Sequence, residues 1–223
     1  IGCSDALYEV DPYTDAGIEE AELTTVLLSE SATAKEAVEL LLSIYDSVGA
    51  AGGSGIFIAG DKGVWYVENA SGTQDVAVKL TSTMAFSQPN MSVIGLIDLD
   101  DTENVMASAN LIAVAEQAGS YVGDKEANTI DYAASYNADQ GVGSRMVNAL
   151  KYFNAATAKE ESDYADFAIS NVAADGSIVP MYTNITLDHA WSVADVVGYY
   201  HIAGIGSTGN LETHIFQVAK EDS

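Results

Sequence analysis

Basic residues are scarce in this chain of 223 residues, which has 8 Lys and Arg against 33 Asp and Glu and a formal net charge of −25. Nucleic-acid backbones are bound by clustered Lys and Arg, so nucleic acid is not expected as a partner. The acidic residues are spread along the whole chain, which predicts a strongly solvated surface. A salt-rich habitat and an extracellular location would both suit such a surface, so the composition leaves the localisation open.

Cysteine and histidine are almost absent. Cys3 is the only cysteine, which excludes an internal disulfide. The three histidines, His189, His201 and His214, are 12 and 13 residues apart, without the close spacing of zinc ligands. The acidic run at 98–104 has no Gly and Glu where an EF-hand loop needs them. No metal and no cofactor are therefore predicted.

Long hydrophobic runs are also missing. No segment approaches the roughly 18 to 20 apolar residues that cross a bilayer, so no membrane span is expected. The first residues have neither the basic start nor the apolar stretch of a signal peptide, so this chain shows no targeting segment.

The clearest pattern present is a β-meander. Its three strands are rich in β-branched and aromatic residues and are separated by the turn sequences Asp61-Lys62-Gly63 and Ser71-Gly72. The predicted strands cover 56–59, 64–67 and 76–80, and a fourth extended piece covers 84–87. Pro89 rules out a continuing central strand and leaves Asn90 at a strand end.

Helices are expected on both sides of the meander. The strongest covers 34–48, where apolar residues recur at helical spacing after the capping box of Thr33 and Glu36. Helices are also predicted at 105–117, at 144–153 with Ser144 as the cap, and after Ser192. The segment 17–28 is predicted to begin as a helical turn, with 23–28 leading into an extended piece, and residues 211–218 are predicted to form a strand. The pattern predicts one α+β domain over residues 1–223, with antiparallel strands layered against helices.

Several segments, in this order and spacing, resemble the dipeptidase A family, the cysteine dipeptidases of the N-terminal-nucleophile hydrolase superfamily. The similar segments are Asp11-Pro12-Tyr13, GIEE from Gly17, TAKEAVELL from Thr33, IFIAGDKGVWYVENASG from Ile56, PNMSVIGLIDLDD from Pro89 and ETHIFQ from Glu212. The resemblance covers most of the chain and is clearest at 11–136 and 206–218. It implies the superfamily's αββα sandwich, present here only in part.

The resemblance also implies a nucleophile, a cysteine at the mature N-terminus whose α-amine acts as the base. Cys3 is the one candidate in this chain. However, Asp11-Pro12-Tyr13 follows Cys3 within ten residues, whereas in the family this motif lies well downstream of the nucleophile. The expectation is therefore a central fragment that lacks the nucleophile segment and is inactive alone, with Cys3 as the nucleophile only if that reading is wrong.

Two further site residues are carried over from the resemblance. Asn90 matches a strand-end asparagine that orients substrate or stabilises the oxyanion, although a turn asparagine after proline has the same pattern. Glu68 matches an acidic position that could hold a substrate amine, and its alternative is a solvent-facing strand carboxylate. Arg145 is expected to form a structural ion pair, and His214 is expected to be a packed or surface strand residue.

The predicted function is hydrolysis of dipeptides by the parent protein. Two alternatives stay open: a related amidase of the acylase type, and an acidic surface or interaction module that binds without turnover. The expected partners are a dipeptide or small amide substrate and either the remainder of the same protein or a second copy of the chain.

Overall fold

The structure is a computed structural model. It describes residues 1–80, 87–88, 90–137, 143–153, 170–172, 178–180, 187, 189–202 and 204–206. The predicted strand at 211–218, His214 and most of the extended piece at 84–87 lie outside these residues.

The described chain is an α+β fold of antiparallel sheets with flanking helices, as predicted. The helices are α1 (Asp5–Val10), α2 (Glu20–Glu30), α3 (Ala34–Val48), α4 (Leu111–Ala118), α5 (Tyr132–Tyr136), α6 (Ser144–Tyr152) and α7 (Val193–Tyr199). The strands are β1 (Ser54–Gly60), β2 (Gly63–Asn69), β3 (Asp75–Leu80), β4 (Leu96–Asp98), β5 (Val105–Ala107), β6 (Gly123–Asp124), β7 (Thr129–Asp131), β8 (Ser170–Val172) and β9 (Ile178–Pro180). This arrangement is consistent with a partial sandwich of the N-terminal-nucleophile type.

The predicted meander forms the principal sheet. Its order is β1-β2-β3-β5 with antiparallel neighbours, and β1 is an edge strand. Two smaller sheets have the orders β4-β7-β6 and β8-β9.

Alternation along β2 gives the principal sheet two buried faces, because successive strand residues point to opposite sides. Trp65 and Val67 pack with α2 and α3 in one apolar cluster. Tyr66 belongs to the second cluster, which also contains residues of α4, α5 and α6. The sheet therefore lies between two cores, and any polar group on β2 must find its partners inside the protein.

The turn between β2 and β3 is fixed by the motif at residues 11–13. Asp11 Oδ2 accepts hydrogen bonds from Ser71 Oγ at 2.7 Å and from the Thr73 backbone N–H at 2.8 Å. A side chain at Gly72 would approach the Pro12 carbonyl oxygen to 2.2 Å, so only glycine fits there. This contact explains why the two motifs occur together in the sequence.

Three of the secondary-structure predictions need correction, and one is confirmed. Helix α3 has the predicted bounds and capping box. The predicted helix at 105–117 is wrong at its start, because residues 105–107 pair with β3 as strand β5 and the helix begins at Leu111. The extended piece predicted at 23–28 is also wrong, because these residues lie within α2, whose Leu23 and Leu27 face the core. Helix α6 is capped by Gly143, whereas Ser144 was the predicted cap.

Candidate active site

Asn90 lies in a tight turn with a left-handed backbone, at a φ of 55°. Asparagine is one of the few residues that tolerate this conformation. The Gln88 side chain spans the turn, because its Nε2 donates to the Met91 carbonyl oxygen at 3.2 Å. The Asn90 side chain is exposed, and the next residue, Met91, is buried in the core.

The partner of Asn90 is Arg145, at the start of α6. Arg145 Nη1 donates a hydrogen bond to Asn90 Oδ1 at 2.9 Å. A guanidinium only donates, so the amide must turn its oxygen towards Arg145 and its Nδ2 donor to the other side. The sequence pattern predicted an ion pair for Arg145, whereas the contact that the structure describes is with an amide.

A small pocket opens beside this pair. It has a volume of about 260 Å³ and is lined by Phe57, Ser87, Gln88, Arg145, Tyr199, Tyr200 and Ile205. We call it the Arg145 pocket. Sites for drug-sized ligands measure roughly 300–1,000 Å³, so this volume favours a small ligand.

Aromatic contacts hold the far wall of the Arg145 pocket. Tyr199 stacks on Phe153, with ring centroids 5.4 Å apart, and its hydroxyl forms a hydrogen bond with Ser87 Oγ. Trp191 packs edge-on against Tyr152 at 5.4 Å. These contacts connect α7 to α6 and to the segment that carries Asn90.

Glu68 is fully buried on β2, so the alternative of a solvent-facing carboxylate is wrong. Its Oε1 accepts hydrogen bonds from Tyr66 Oη at 2.9 Å and from the Val93 backbone N–H at 2.6 Å. Its Oε2 accepts from the Ile94 backbone N–H at 3.1 Å. Glu68 therefore fixes the backbone three and four residues after Asn90, and a contact with substrate stays a prediction.

Cys3 is partly buried beside the Tyr13 hydroxyl. Burial raises the pKa of the Cys3 thiol, and Asp11 and Asp5 act in the same direction, while the contact with Tyr13 opposes it. A raised pKa disfavours the thiolate, which is the nucleophilic form. The surroundings of Cys3 are those of a structural cysteine.

Within the described ranges, no group of His, Cys, Asp and Glu is arranged to hold a metal ion. None of the helices described is both long and apolar enough to span a membrane.

Burial also perturbs two carboxyl groups of the principal sheet. It raises the pKa of Glu68 to about 7, against the opposing effect of its three donors. It raises the pKa of Asp75 to about 8, against the opposing hydrogen bond from Ser108. Among the described residues Asp75 Oδ2 has no hydrogen-bond partner, which is consistent with a carboxyl group that stays protonated.

We expect the free energy of unfolding to decrease as the pH rises from about 4 to 8. Both groups bind their protons more tightly in the folded state. Their stabilising contribution is therefore complete below the pKa values of the unfolded chain, 4.5 for Glu68 and 3.8 for Asp75, and is lost as the pH passes the pKa values of the folded state. The decrease should reach a few kcal/mol, at about 1.4 kcal/mol per unit of pKa difference. Denaturant unfolding at pH 5 and pH 8 measures it.

Asp75→Asn is the matched variant for this pH dependence. It keeps the shape of the side chain, removes its titration and leaves the general charge repulsion almost unchanged. The decrease should therefore become smaller in the variant. Identical pH profiles of variant and wild type, or a stability that rises from pH 5 to 8, would contradict the prediction.

A small pocket beside an oriented amide donor is the kind of site that enzymes acting on small substrates carry. The comparison with known families is more specific, because the model of Peptidase family C69 matches residues 1–188. The chain belongs to Peptidase family C69, a dipeptidase family of cysteine peptidases, which confirms the family and the enzyme class predicted from the sequence.

Curated relatives agree with this assignment. The chain is 38% identical to "Probable dipeptidase B" of Streptococcus pyogenes serotype M1 over 118 residues, which are 53% of this chain and 24% of that protein. It is 33% identical to "Probable dipeptidase" of Salmonella dublin over 135 residues, which are 60% of this chain and 31% of that protein. The matched segment thus spans about a quarter to a third of the length of these relatives.

Sequence reasoning singled out Asn90 and Glu68 as candidates but not the residues that line the pocket beside Asn90. Gln88, two positions before Asn90, gave no signal beyond its place ahead of a proline. Tyr199 and Tyr200 could have been noted as an aromatic pair at the end of a short helix. The contact between Asn90 and Arg145 joins residues 55 positions apart, and no local pattern contains it.

Proposed function

We propose that the protein containing this chain hydrolyses dipeptides through a cysteine nucleophile, and that these residues supply the substrate-orienting part of its site. The observation that carries the proposal is the orientation of the Asn90 amide, whose Oδ1 is occupied by Arg145. This contact leaves Nδ2 as a donor of the kind that stabilises the oxyanion in amide hydrolysis. Family membership supplies the reaction class.

The nucleophile in this proposal is a cysteine other than Cys3. The pKa of the Cys3 thiol is raised by burial, and the hydroxyl beside it belongs to a tyrosine whose own pKa is raised by burial. Neither group activates the other as a general base would. The reactive thiol would then come from a part of the protein outside these residues, and this chain would be inactive alone.

Glu68 acts in this proposal mainly as a positioning residue. All its described hydrogen bonds come from protein groups, and two of these are backbone N–H groups of the segment that follows Asn90. Through them Glu68 holds the turn that presents the amide. Its predicted contact with the substrate amine would need one of these bonds to be given up.

The test uses the protein at its natural length and a panel of dipeptides. We expect hydrolysis that is abolished by thiol alkylation, while Cys3→Ser keeps kcat within about threefold of the wild-type value, because a partly buried structural thiol tolerates an isosteric change. Steady-state kinetics measure both. A loss of activity in Cys3→Ser above about 1,000-fold would identify Cys3 as the nucleophile. Absence of dipeptide hydrolysis would refute the proposed function, and turnover of acylated amines alone would favour the acylase.

A further inference from the structure

We propose that Arg145 binds the free carboxylate of the substrate and that the aromatic wall beside it receives the side chain of the substrate's C-terminal residue. This inference rests on the proposed dipeptidase function and specifies its substrates: dipeptides with a free carboxylate and an apolar or aromatic last residue. The site is the Arg145 pocket defined above.

The charge distribution singles out this pocket. Arg145 is the only arginine in a chain of net charge −25, and it lines a pocket whose seven described lining residues include no carboxylate. By contrast, a concavity near the start of α2 is lined by Asp15, Glu19 and Glu20, and the groove between β1 and the helices α2 and α3 contains Asp61. Of these three concavities, only the Arg145 pocket can attract an anion.

Arg145 is exposed, and two contacts orient its side chain. Nη1 donates to Asn90 Oδ1, and the backbone of Gly204 lies against the aliphatic part of the side chain. A β-carbon at Gly204 would come within 3.3 Å of Arg145 Cγ, and Gly204 has a φ of 83° that favours glycine. A guanidinium has five N–H donors, and Asn90 accepts from only one of its nitrogens, Nη1. The planar arrangement of the donors suits a carboxylate.

The remaining apolar and aromatic residues form one wall of the pocket, while Ser87 and Gln88 add polar groups beside Arg145. Phe57 reaches it from β1, where it is 47% exposed, and Ile205 and the rings of Tyr199 and Tyr200 complete the wall. Apolar side chains are stabilised when their surface is removed from water, so this wall favours a large apolar residue next to the bound carboxylate. The scissile amide of a dipeptide is one residue away from its carboxylate. Since Asn90 contacts Arg145, a carboxylate bound by Arg145 would place this amide near the Asn90 donor.

The experiment compares Ala-Phe with Ala-Phe-amide in the protein at its natural length. We expect the wild type to prefer the free acid by at least about tenfold in kcat/KM. Arg145→Gln should raise KM for Ala-Phe by roughly 10–100-fold, as expected when a charge-assisted hydrogen bond is lost, and should change KM for the amide less than about threefold. Loss of the contact with Asn90 should lower kcat for both substrates alike. Arg145→Lys should give an intermediate loss, because it keeps the charge without the fork.

Lys151→Gln is the matched control, since it removes an exposed positive charge from the same helix without touching the pocket. It should leave both substrates within about twofold of wild type. An equal rise of KM for acid and amide in Arg145→Gln, or a wild type that does not distinguish them, would overturn the carboxylate assignment while leaving the dipeptidase function intact. Failure of the wild type on all dipeptides would instead refute the proposed function itself.

Discussion

Asn90→Gly is expected to lower kcat by about 100-fold, the usual cost of removing one oxyanion donor. Glycine is the appropriate replacement, because Asn90 has a φ of 55° that alanine adopts only with strain. The backbone turn is thereby kept and only the amide is lost. Steady-state kinetics on a good dipeptide substrate measure the effect, and KM should change much less than kcat if the donor acts in the transition state.

The control for this variant is Asn128→Gly. Asn128 is the other described non-glycine residue with a positive φ, at 50°, and its side chain donates to Asp100 at 2.7 Å, apart from the Arg145 pocket. This control should leave kcat unchanged. Since Asn90 also holds Arg145, the loss should be checked on Ala-Phe-amide, where the carboxylate contact plays no part. If kcat decreased less than about threefold on both substrates, Asn90 would not stabilise the transition state.

Glu68→Ala is expected to destabilise the protein by about 4 kcal/mol or more, a large part of the stability of an ordinary domain. The variant leaves the backbone N–H groups of Val93 and Ile94 and the Tyr66 hydroxyl without their acceptor inside the core. Each buried unsatisfied donor costs roughly 1–3 kcal/mol. Thermal unfolding measures the total, and faster amide exchange at Val93 and Ile94 would locate the loss.

Glu68→Gln tests the effect of the hydrogen bonds on stability without changing the volume of the side chain. The amide has nearly the same shape, but its NH₂ group must face at least one of the donors, so we expect a loss of about 2 kcal/mol without a cavity. Glu103→Ala, at an exposed position, should stay within about 0.5 kcal/mol of wild type. If Glu68→Ala were as stable as this control, the three hydrogen bonds would not hold the segment after Asn90.

The sheet could be predicted from sequence because its signals are local. The runs that form β1, β2 and β3 alternate or are apolar, and their turn sequences are short and unambiguous. The sequence predicts a helix for residues 105–107 because the apolar spacing of the helix that follows them continues into these residues. Their pairing with β3 is a contact between segments about 30 positions apart, which no window of sequence contains.

The first thirty residues show the opposite error. Thr24, Thr25 and Val26 are β-branched and favour a strand, yet they lie in α2. Burial of Leu23 and Leu27 on α3 outweighs this weak preference. Local propensity is least reliable where a short element is held by packing against a stronger one.

The site was predictable only to the extent that the family resemblance named positions. It identified Asn90 and Glu68, but the burial of Glu68 depends on the packing of both cores around β2. The role of Arg145 depends on its position beside a turn that lies 55 residues earlier in the chain. The environment of a side chain follows from the fold, so residue type and spacing alone could not supply it.

Helix α7 gives the site a weak point. This helix has no fully buried residue, and the rings of Trp191 and Tyr199 supply the described aromatic contacts that hold it against α6. Elements with few buried contacts open at a lower free energy than the sheets they cover. We therefore expect the wall of the Arg145 pocket to detach while the principal sheet stays folded, so that the proposed substrate site is lost by local unfolding before the fold itself.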